Sequence, residues 1–308
     1  MRNVNDNAAA WFRRRTSTWR DWPLERLLAV KGAATVSVVL PALDEEPTVG
    51  DIVAGVRPLC DDGLVDEVVV VDSGSVDRTA EVAAAAGAKV YHRDGILPEL
   101  GSYPGKGEVL WKALAVTSGD LVVYIDADLT DFQPSFVTGL LGPLLTDPDI
   151  GLVKAFYDRP LLDVSAAGGG RVTELMARPL LNTYFPDLAG VVQPLAGEYA
   201  GRRDVLCALP YDPGYGVETG LLIDAVQRFG LSSVAQVDLG ARTHGHQDTA
   251  ALGRMAATIL HTVLDRVDPD RPRSPKLTQF RRADGRVVPV ETTVTGVRRP
   301  PMASVLRS

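Results

Sequence analysis

The chain has 308 residues, 45% of them hydrophobic and 23% charged, with 39 Asp+Glu against 32 Lys+Arg for a formal net charge of −7. That is ample for one large globular domain, or one domain with an elaborated second half, and the acidic balance disfavours a nucleic-acid binder. No apolar run approaches the ~20 residues that span a bilayer, Ala8-Ala9-Ala10-Trp11-Phe12 is too short for a secretory core, and Cys60 and Cys207 are too few for a disulfide framework or a zinc cluster. A cytoplasmic protein with no membrane partner is therefore expected, in which an anionic substrate must be met by local basic residues and backbone amides.

Residues 1–33 are polar and read as a lead-in with one short helix from Pro23 to Lys31. A buried strand is expected from Thr35 to Leu40, a helix from Glu45 to Val56, a second strand from Glu67 to Val71, and a helix from Asp77 to Ala86 with Ser75 as its cap. A third strand near Ala88 to Tyr91, a helix from Gly107 to Val116 and a fourth strand from Leu121 to Ile125 follow. Strands alternating with helical patterns predict an α/β fold with a mostly parallel sheet, in which ligands sit beyond the carboxyl ends of the strands. Pro41 to Glu45, Asp72 to Ser75 and Asp126 to Asp128 all fall at such ends, so three polar turns are expected to converge on one crevice.

The second half continues with a strand from Gly151 to Tyr157, a loop at Gly168-Gly-Gly170, helical patterns at Val172 to Tyr184, Gly216 to Phe229 and Thr249 to Arg266, and a strand near Ser233 to Val237. From Asp268 onward the Pro- and Arg-rich sequence reads as a mobile or subunit-wrapping tail. The expected division is a lead-in 1–33, a first half 34–148 and a second half 149–267 of one domain, and a tail 268–308.

The apolar strand Leu121-Val-Val-Tyr-Ile-Asp126-Ala-Asp128 ends in Asp-x-Asp, the spacing with which sugar-nucleotide transferases hold a metal diphosphate. One carboxylate faces a hard cation that takes one or two carboxylates plus substrate phosphates. Its neighbour two residues back meets ribose or a metal-bound water. Alone, the same spacing equally suits two acids capping the next helix. Pro104-Gly105-Lys106-Gly107 is no P-loop, because Leu100 and Gly107 stand where Gly and Ser or Thr are needed, and it lacks the third glycine of a dinucleotide fingerprint. Its glycines still permit close backbone approach, with Lys106 at a helix start, as either a diphosphate contact or an ordinary loop lysine. Gly168-Gly-Gly170-Arg171-Val-Thr173-Glu174 has the parts of an anion cradle: flexible glycines, helix-start amides, a guanidinium and a hydroxyl. It also fits a plain linker. His244-Gly-His246 offers imidazoles to an ion at Asp128 or forms a surface turn. Glu218, opening a helix after Tyr215-Gly-Val, orients a sugar hydroxyl or simply answers the helix dipole.

Taken in order, Pro41-Ala-Leu-Asp-Glu-Glu46, Asp72-Ser-Gly-Ser75, Pro104-Gly-Lys-Gly107, Asp126-Ala-Asp128, Gly168-Gly-Gly-Arg-Val-Thr-Glu174, Gly197-Glu-Tyr199 and Tyr215-Gly-Val-Glu218 resemble the actinobacterial glucosyl-3-phosphoglycerate synthases from about Thr35 to Arg266. The resemblance implies a GT-A fold, with 34–148 as its nucleotide-sugar-binding half and 149–267 as its acceptor-binding half, and a retaining transfer of glucose from UDP-glucose to the 2-hydroxyl of 3-phosphoglycerate, with Mg²⁺ or Mn²⁺ and in a homodimer. By position, Pro41, Ala42, Leu43, Glu45, Ser73, Lys106, Asp126 and Ala127 match the nucleotide-sugar wall, and Tyr215, Glu218 and Arg242 the donor-sugar and diphosphate side. Asp128 and His244 match the metal ligands, and Gly170, Arg171 and Thr173 the 3-phosphoglycerate cradle. Glu218 and the Pro194-Leu195 backbone are the candidates for orienting the sugar during catalysis. Departures are Asp44 for Asn, Ala127 for Ser, and His246 where an Asn meets the acceptor, with Gly245 and Gln247 beside it. The motifs leave open a GDP-mannose donor, another phosphorylated or polyprenyl acceptor, and a non-catalytic nucleotide-sugar sensor.

Overall fold

The structure, a computed structural model, describes residues 4–158, 160–161, 164–167, 170–242, 248–294 and 296–306. Its first half alternates strand and helix: β1 (Thr16–Thr18), β2 (Val36–Ala42), β3 (Glu67–Asp72), β4 (Lys89–His92) and β5 (Leu121–Tyr124). The second half adds β6 (Leu152–Asp158), the short pair β7 (Pro160–Leu161) and β8 (Val164–Ala167), β9 (Tyr199–Arg202), β10 (Val234–Ala241), and a separate hairpin of β11 (Lys276–Ala283) and β12 (Arg286–Thr293). The central sheet has the order β1-β10-β6-β9-β5-β2-β3-β4 and is parallel throughout except for β9, which runs against both neighbours. All of β3 and β5 is buried, because helices cover both faces, and such doubly covered strands read as unbroken apolar runs. That is why the strands from Thr35, Glu67 and Leu121 are visible in the sequence.

Helices α1 (Val4–Arg15) and α2 (Leu24–Lys31) precede the sheet proper, and α3 (Val49–Asp61), α4 (Thr79–Ala85), α5 (Lys106–Val116) and α6 (Pro134–Thr146) link its strands. One face packs Ile52, Val56, Phe136 and Leu140 against Val38 and Val123, and the other packs Leu110, Leu114, Leu221 and Leu222 against Val39, Tyr124 and Val69. The chain winds from β2 outward to β3 and β4, then returns to place β5 on the opposite side of β2. Ligands in open α/β sheets bind where the winding reverses in this way, beyond the carboxyl ends of the strands.

Several local expectations are corrected. The lead-in carries the twelve-residue helix α1 as well as α2, and β1 pairs in parallel with β10 at the sheet edge. Trp11 is buried there and its indole N–H donates to the carbonyls of Leu231 and Val234. The second helix begins at Val49, four residues after Glu45, because Asp44 adopts φ 57° and the chain must turn before it can wind. Ser75 caps no helix: its hydroxyl accepts the Asp44 amide and donates to Asp72, while Asp77 receives the Thr79 amide. In the tail, the hairpin touches α10 (Thr249–Val267) while its strands stay half-buried to exposed, and α11 (Met302–Val305) buries Met302 completely. Between the π turn Thr173–Ala177 and α10 lie α7 (Arg178–Tyr184), α8 (Arg203–Ala208) and α9 (Val217–Phe229). No helix among the described residues is long and apolar enough to cross a membrane.

Candidate active site

The carboxyl ends of β2, β3 and β5 open into one cleft of about 1460 Å³. Its walls include Pro41, Ala42, Leu43, Glu45, Ser73, Lys106, Asp126, Ala127, Asp128, Gly170, Arg171, Thr173, Leu195, Tyr215, Glu218 and Arg242, while Pro194, next to Leu195, is not among the lining residues. His244 and His246, together with Gly168 and Gly245, lie outside the described residues. Asp44 explains how the first turn is shaped: its side chain accepts the Val76 amide at 2.8 Å and its own amide donates to Ser75 Oγ at 2.9 Å. Asp tolerates the left-handed region nearly as well as Asn, so this departure from the family pattern carries little strain. Leu43 and Tyr215 are more than half exposed on the rim, apolar surface that a ligand would cover.

A stack of charges forms the floor. Lys106 starts α5 and its ammonium binds Asp126 Oδ1 and, at 3.1 Å, Glu218 Oε1 at the start of α9. Arg242, at the end of β10, donates to Asp128 Oδ1 at 3.1 Å, to the Tyr157 hydroxyl at 2.8 Å and to the buried Glu198. Burial raises the Asp126 carboxyl, but Lys106 and Arg242 outweigh it and hold Asp126 below the usual range. Burial and then the Asp126 charge push Asp128 the other way. Burial, reinforced by Asp128, lifts Glu45 to about 7. Space for this stack comes from Gly197, where a Cβ would sit 2.1 Å from Asp126 Oδ2 and 2.6 Å from Lys106 Nζ. Gly105 likewise needs φ +110° and close passage past the Pro213 carbonyl to set Lys106 at the helix start.

Across the cleft, Gly170 turns with φ +83° and its carbonyl accepts the Glu174 amide, beginning the helical segment that carries Arg171 and Thr173. The segment then widens into the π turn, a local irregularity frequent at functional sites. Several lining groups have no strong sequence signal. Arg93 reaches the cleft beside Ser73, while α10 and Thr292, Thr293, Val294, Gly296 and Val297 of the tail also line it. Glu198 and Lys154 sit under the floor, and only the family stretch Gly197-Glu-Tyr199 hinted at one of them.

No group of three His, Cys, Asp or Glu able to hold a metal occurs among the described residues. A nucleotide-bound Mg²⁺ or Mn²⁺ does not require one, since substrate phosphates supply much of its shell. Asp128, with a side chain 59% exposed and a carboxyl destabilised by Asp126, fits such an ion: binding it relieves the crowding of negative charge.

Residues 37–174 match the Glycosyl transferase family 2 model. The chain is 50% identical over 288 residues to the glucosyl-3-phosphoglycerate synthase of Mycolicibacterium smegmatis, covering 92% of this chain and 94% of that one. It aligns with a crystal structure of glucosyl-3-phosphoglycerate synthase from Mycobacterium tuberculosis in complex with Mn²⁺, UDP-glucose and phosphoglyceric acid at TM-score 0.85 and 48% identity, over 94% and 99% of the two chains. Another structure of that enzyme holds Mg²⁺ and UDP. The mannosyl-3-phosphoglycerate synthase of Rubrobacter xylanophilus aligns at TM-score 0.90 and 40% identity, over 96% and 99%.

Proposed function

The chain belongs to the glucosyl-3-phosphoglycerate synthase family, and on that premise we propose that it moves glucose from UDP-glucose to the 2-hydroxyl of 3-phosphoglycerate with retention, releasing UDP. The observation that carries the reading is one cleft lined both by the Asp126-Ala-Asp128 turn with Lys106 and by Gly170, Arg171 and Thr173. A sugar diphosphate and a phosphorylated acceptor thus share one chamber.

In this reading Pro41, Ala42, Leu43, Glu45 and Ser73 line the nucleoside, and Lys106 neutralises the diphosphate. Glu218, buried and held by Lys106, presents its carboxylate to a sugar hydroxyl, with Tyr215, Arg242 and the Leu195 backbone around the donor. Arg171 takes the acceptor phosphate and Thr173 and the Gly170 backbone complete its cradle. Asp128, with His244 in the family pattern, would hold Mg²⁺ or Mn²⁺, which as a Lewis acid supplies charge neutralisation at the leaving diphosphate. The acceptor 2-hydroxyl oxygen bonds to the sugar's anomeric carbon on the face from which the diphosphate leaves, and the hydroxyl proton passes to a diphosphate oxygen. Positioning and preorganised charge supply most of the acceleration, with no protein nucleophile. Both substrates are charged and membrane-impermeant, which supports cytoplasmic action. A homodimer is the proposed working form, which light scattering would test.

A GDP-mannose donor is the second reading, favoured by the mannosyl enzyme's TM-score of 0.90. Nucleoside-diphosphate release with Mg²⁺, measured for UDP-glucose and GDP-mannose with and without 3-phosphoglycerate, tests both. UDP release dependent on 3-phosphoglycerate supports the synthase. Preferential GDP release moves the assignment to mannose, and release indifferent to the acceptor removes 3-phosphoglycerate.

A further inference from the structure

Lys154 lies on β6, between β10 and β9 in the sheet, is 2% exposed, and takes no part in the roles above. A lysine is almost never left so deep without partners. Its ammonium donates to the carbonyl of Ala196 and lies 4.9 Å from the centre of the Tyr199 ring. Ala196 stands between Leu195 and Gly197, both of which line the cleft. The same segment is tied at its two ends, by Gln193 to the Tyr157 carbonyl and by Glu198 to Arg242 and the Tyr157 hydroxyl, so Lys154 holds its middle.

The charged groups acting on Lys154 come from each surrounding element: Glu218 from α9, Lys106 from α5, Glu198 from the start of the β9 segment and Asp126 from the end of β5, with the amide of Gln236 beside it in register on β10. With Arg242, the set comprises three cations, Lys106, Lys154 and Arg242, against four carboxylates, Asp126, Asp128, Glu198 and Glu218. Carboxylates already outnumber cations, and loss of the Lys154 proton widens that imbalance. Without it, the floor beneath a departing diphosphate becomes more negative and the Ala196 carbonyl is left with the weaker donor of a neutral amine.

We propose that the Lys154 ammonium is a positioning group of the sugar site, holding the Leu195 to Gly197 segment against the donor and balancing Glu218 and Glu198. Burial, with Lys106 adding to it and Glu218 opposing, brings this ammonium down to about 8, within reach of an ordinary assay. The proposal rests on the transferase reading and adds the residue that limits it at alkaline pH.

The test is the pH dependence of kcat for nucleoside-diphosphate release with Mg²⁺, 3-phosphoglycerate and whichever donor turns over, comparing the wild type with Lys154→Arg and Lys154→Met. The wild type is expected to lose rate above pH about 8. Lys154→Arg, which cannot lose its charge, is expected to keep its rate through that limb. Lys154→Met is expected to fall roughly 10- to 100-fold at pH 7, as small misplacements do. That variant should lose the limb, with the 3-phosphoglycerate KM changed less than twofold. Should Lys154→Arg be too large to fold, as thermal melting will show, the near-isosteric Met variant carries the test alone. The same alkaline limb in either folded variant, or a wild-type rate flat beyond pH 9, overturns the role of Lys154. Absence of turnover in the wild type with any donor overturns the transferase reading instead, so the two failures are distinct.

Discussion

Arg299 grips both carboxylate oxygens of Glu108 at 2.7 Å across 191 residues of chain. Glu108 is completely buried, two residues into the helix that begins at Lys106, and Arg299 also donates to the carbonyls of Leu100 and Gly101 and stacks against Tyr103 and Trp111. The Trp111 indole in turn donates to the Pro300 carbonyl. The end of the chain is thereby clamped onto the helix that presents Lys106 to the cleft.

Removing one partner of a buried pair leaves the other charged and uncompensated, so Arg299→Ala should lower stability by about 3 kcal/mol, with Lys112 at 3.8 Å from Glu108 softening the loss. Urea unfolding measures it. Arg299→Lys should recover only part, because one ammonium cannot replace a two-point contact. A shift under about 1 kcal/mol would mean that the tail end is dispensable to the fold.

Legibility in the sequence followed burial on both faces. The strands ending at Ala42, Asp72 and Tyr124 are apolar runs punctuated by polar turns, so their elements and the cleft between them could be read directly. Helix α1 escaped because only Ala8 and Trp11 of its described residues are buried, too few for a periodic apolar face. Strand β9 is four residues long and contains Gly201, leaving no periodicity to detect. Helix α6 carries Pro143, Gly139 and Gly142, residues that normally argue against a helix. Here Gly142 has a reason to be small, since an added Cβ would meet the Trp22 ring at 2.0 Å. Arg299 had no signal at all, as a clamp between chain segments so far apart is a purely tertiary fact.

Gly197→Ala should damage the donor site more than the fold. The new methyl group would meet Asp126 Oδ2 and Lys106 Nζ, so the ion pair or the Leu195 to Gly197 backbone must move. A displacement of that size predicts a loss in kcat/KM of roughly 100-fold. Calorimetric titration with UDP-glucose and Mg²⁺ should show weakened binding, while thermal melting remains close to the wild type. Unchanged donor affinity would contradict the placement of Lys106 and Asp126 on the donor wall.

At the opposite end of the sheet, Glu67 is 8% exposed and accepts from Lys89 at 2.8 Å, from Ser37 Oγ at 2.8 Å, and from the Ser118 amide at 2.7 Å. Burial alone would raise its carboxyl, but these donors hold it down to about 2 against an ordinary 4.5. A depressed carboxyl contributes stability above its unfolded value and loses it as pH falls toward the folded one, so the window lies between about 4.5 and 2. The contribution is at most about 3 kcal/mol. Glu67→Gln should be less stable than the wild type at pH 7 and should show a shallower decline in denaturation midpoint across that window, with parallel declines counting against the assignment.

Asp128 should be the residue through which metal dependence enters. Because burial and Asp126 raise its carboxyl, protons compete with the ion there, and the apparent affinity for Mg²⁺ or Mn²⁺ should weaken as pH falls. Chelation should suppress turnover reversibly, and Asp128→Ala should abolish metal-dependent turnover at every metal concentration tried. Substantial rate in that variant at high metal would move the ligand role elsewhere.

Arg171→Ala should separate the two walls of the cleft. Arg171 begins the helical segment after Gly170, on a different element from Lys106 and Asp126, and in the proposed reading its guanidinium serves the acceptor rather than the donor. Loss of a charge-assisted contact to phosphate is worth roughly 1.5–3 kcal/mol, which raises the 3-phosphoglycerate KM by roughly 10- to 150-fold. The UDP-glucose KM should move less than twofold. Arg171→Lys should recover part of the loss, since a point charge still attracts phosphate but makes one contact in place of two. Equal losses on both substrates would show that the residue supports the cleft as a whole, and the acceptor assignment of Gly170, Arg171 and Thr173 would then fail together.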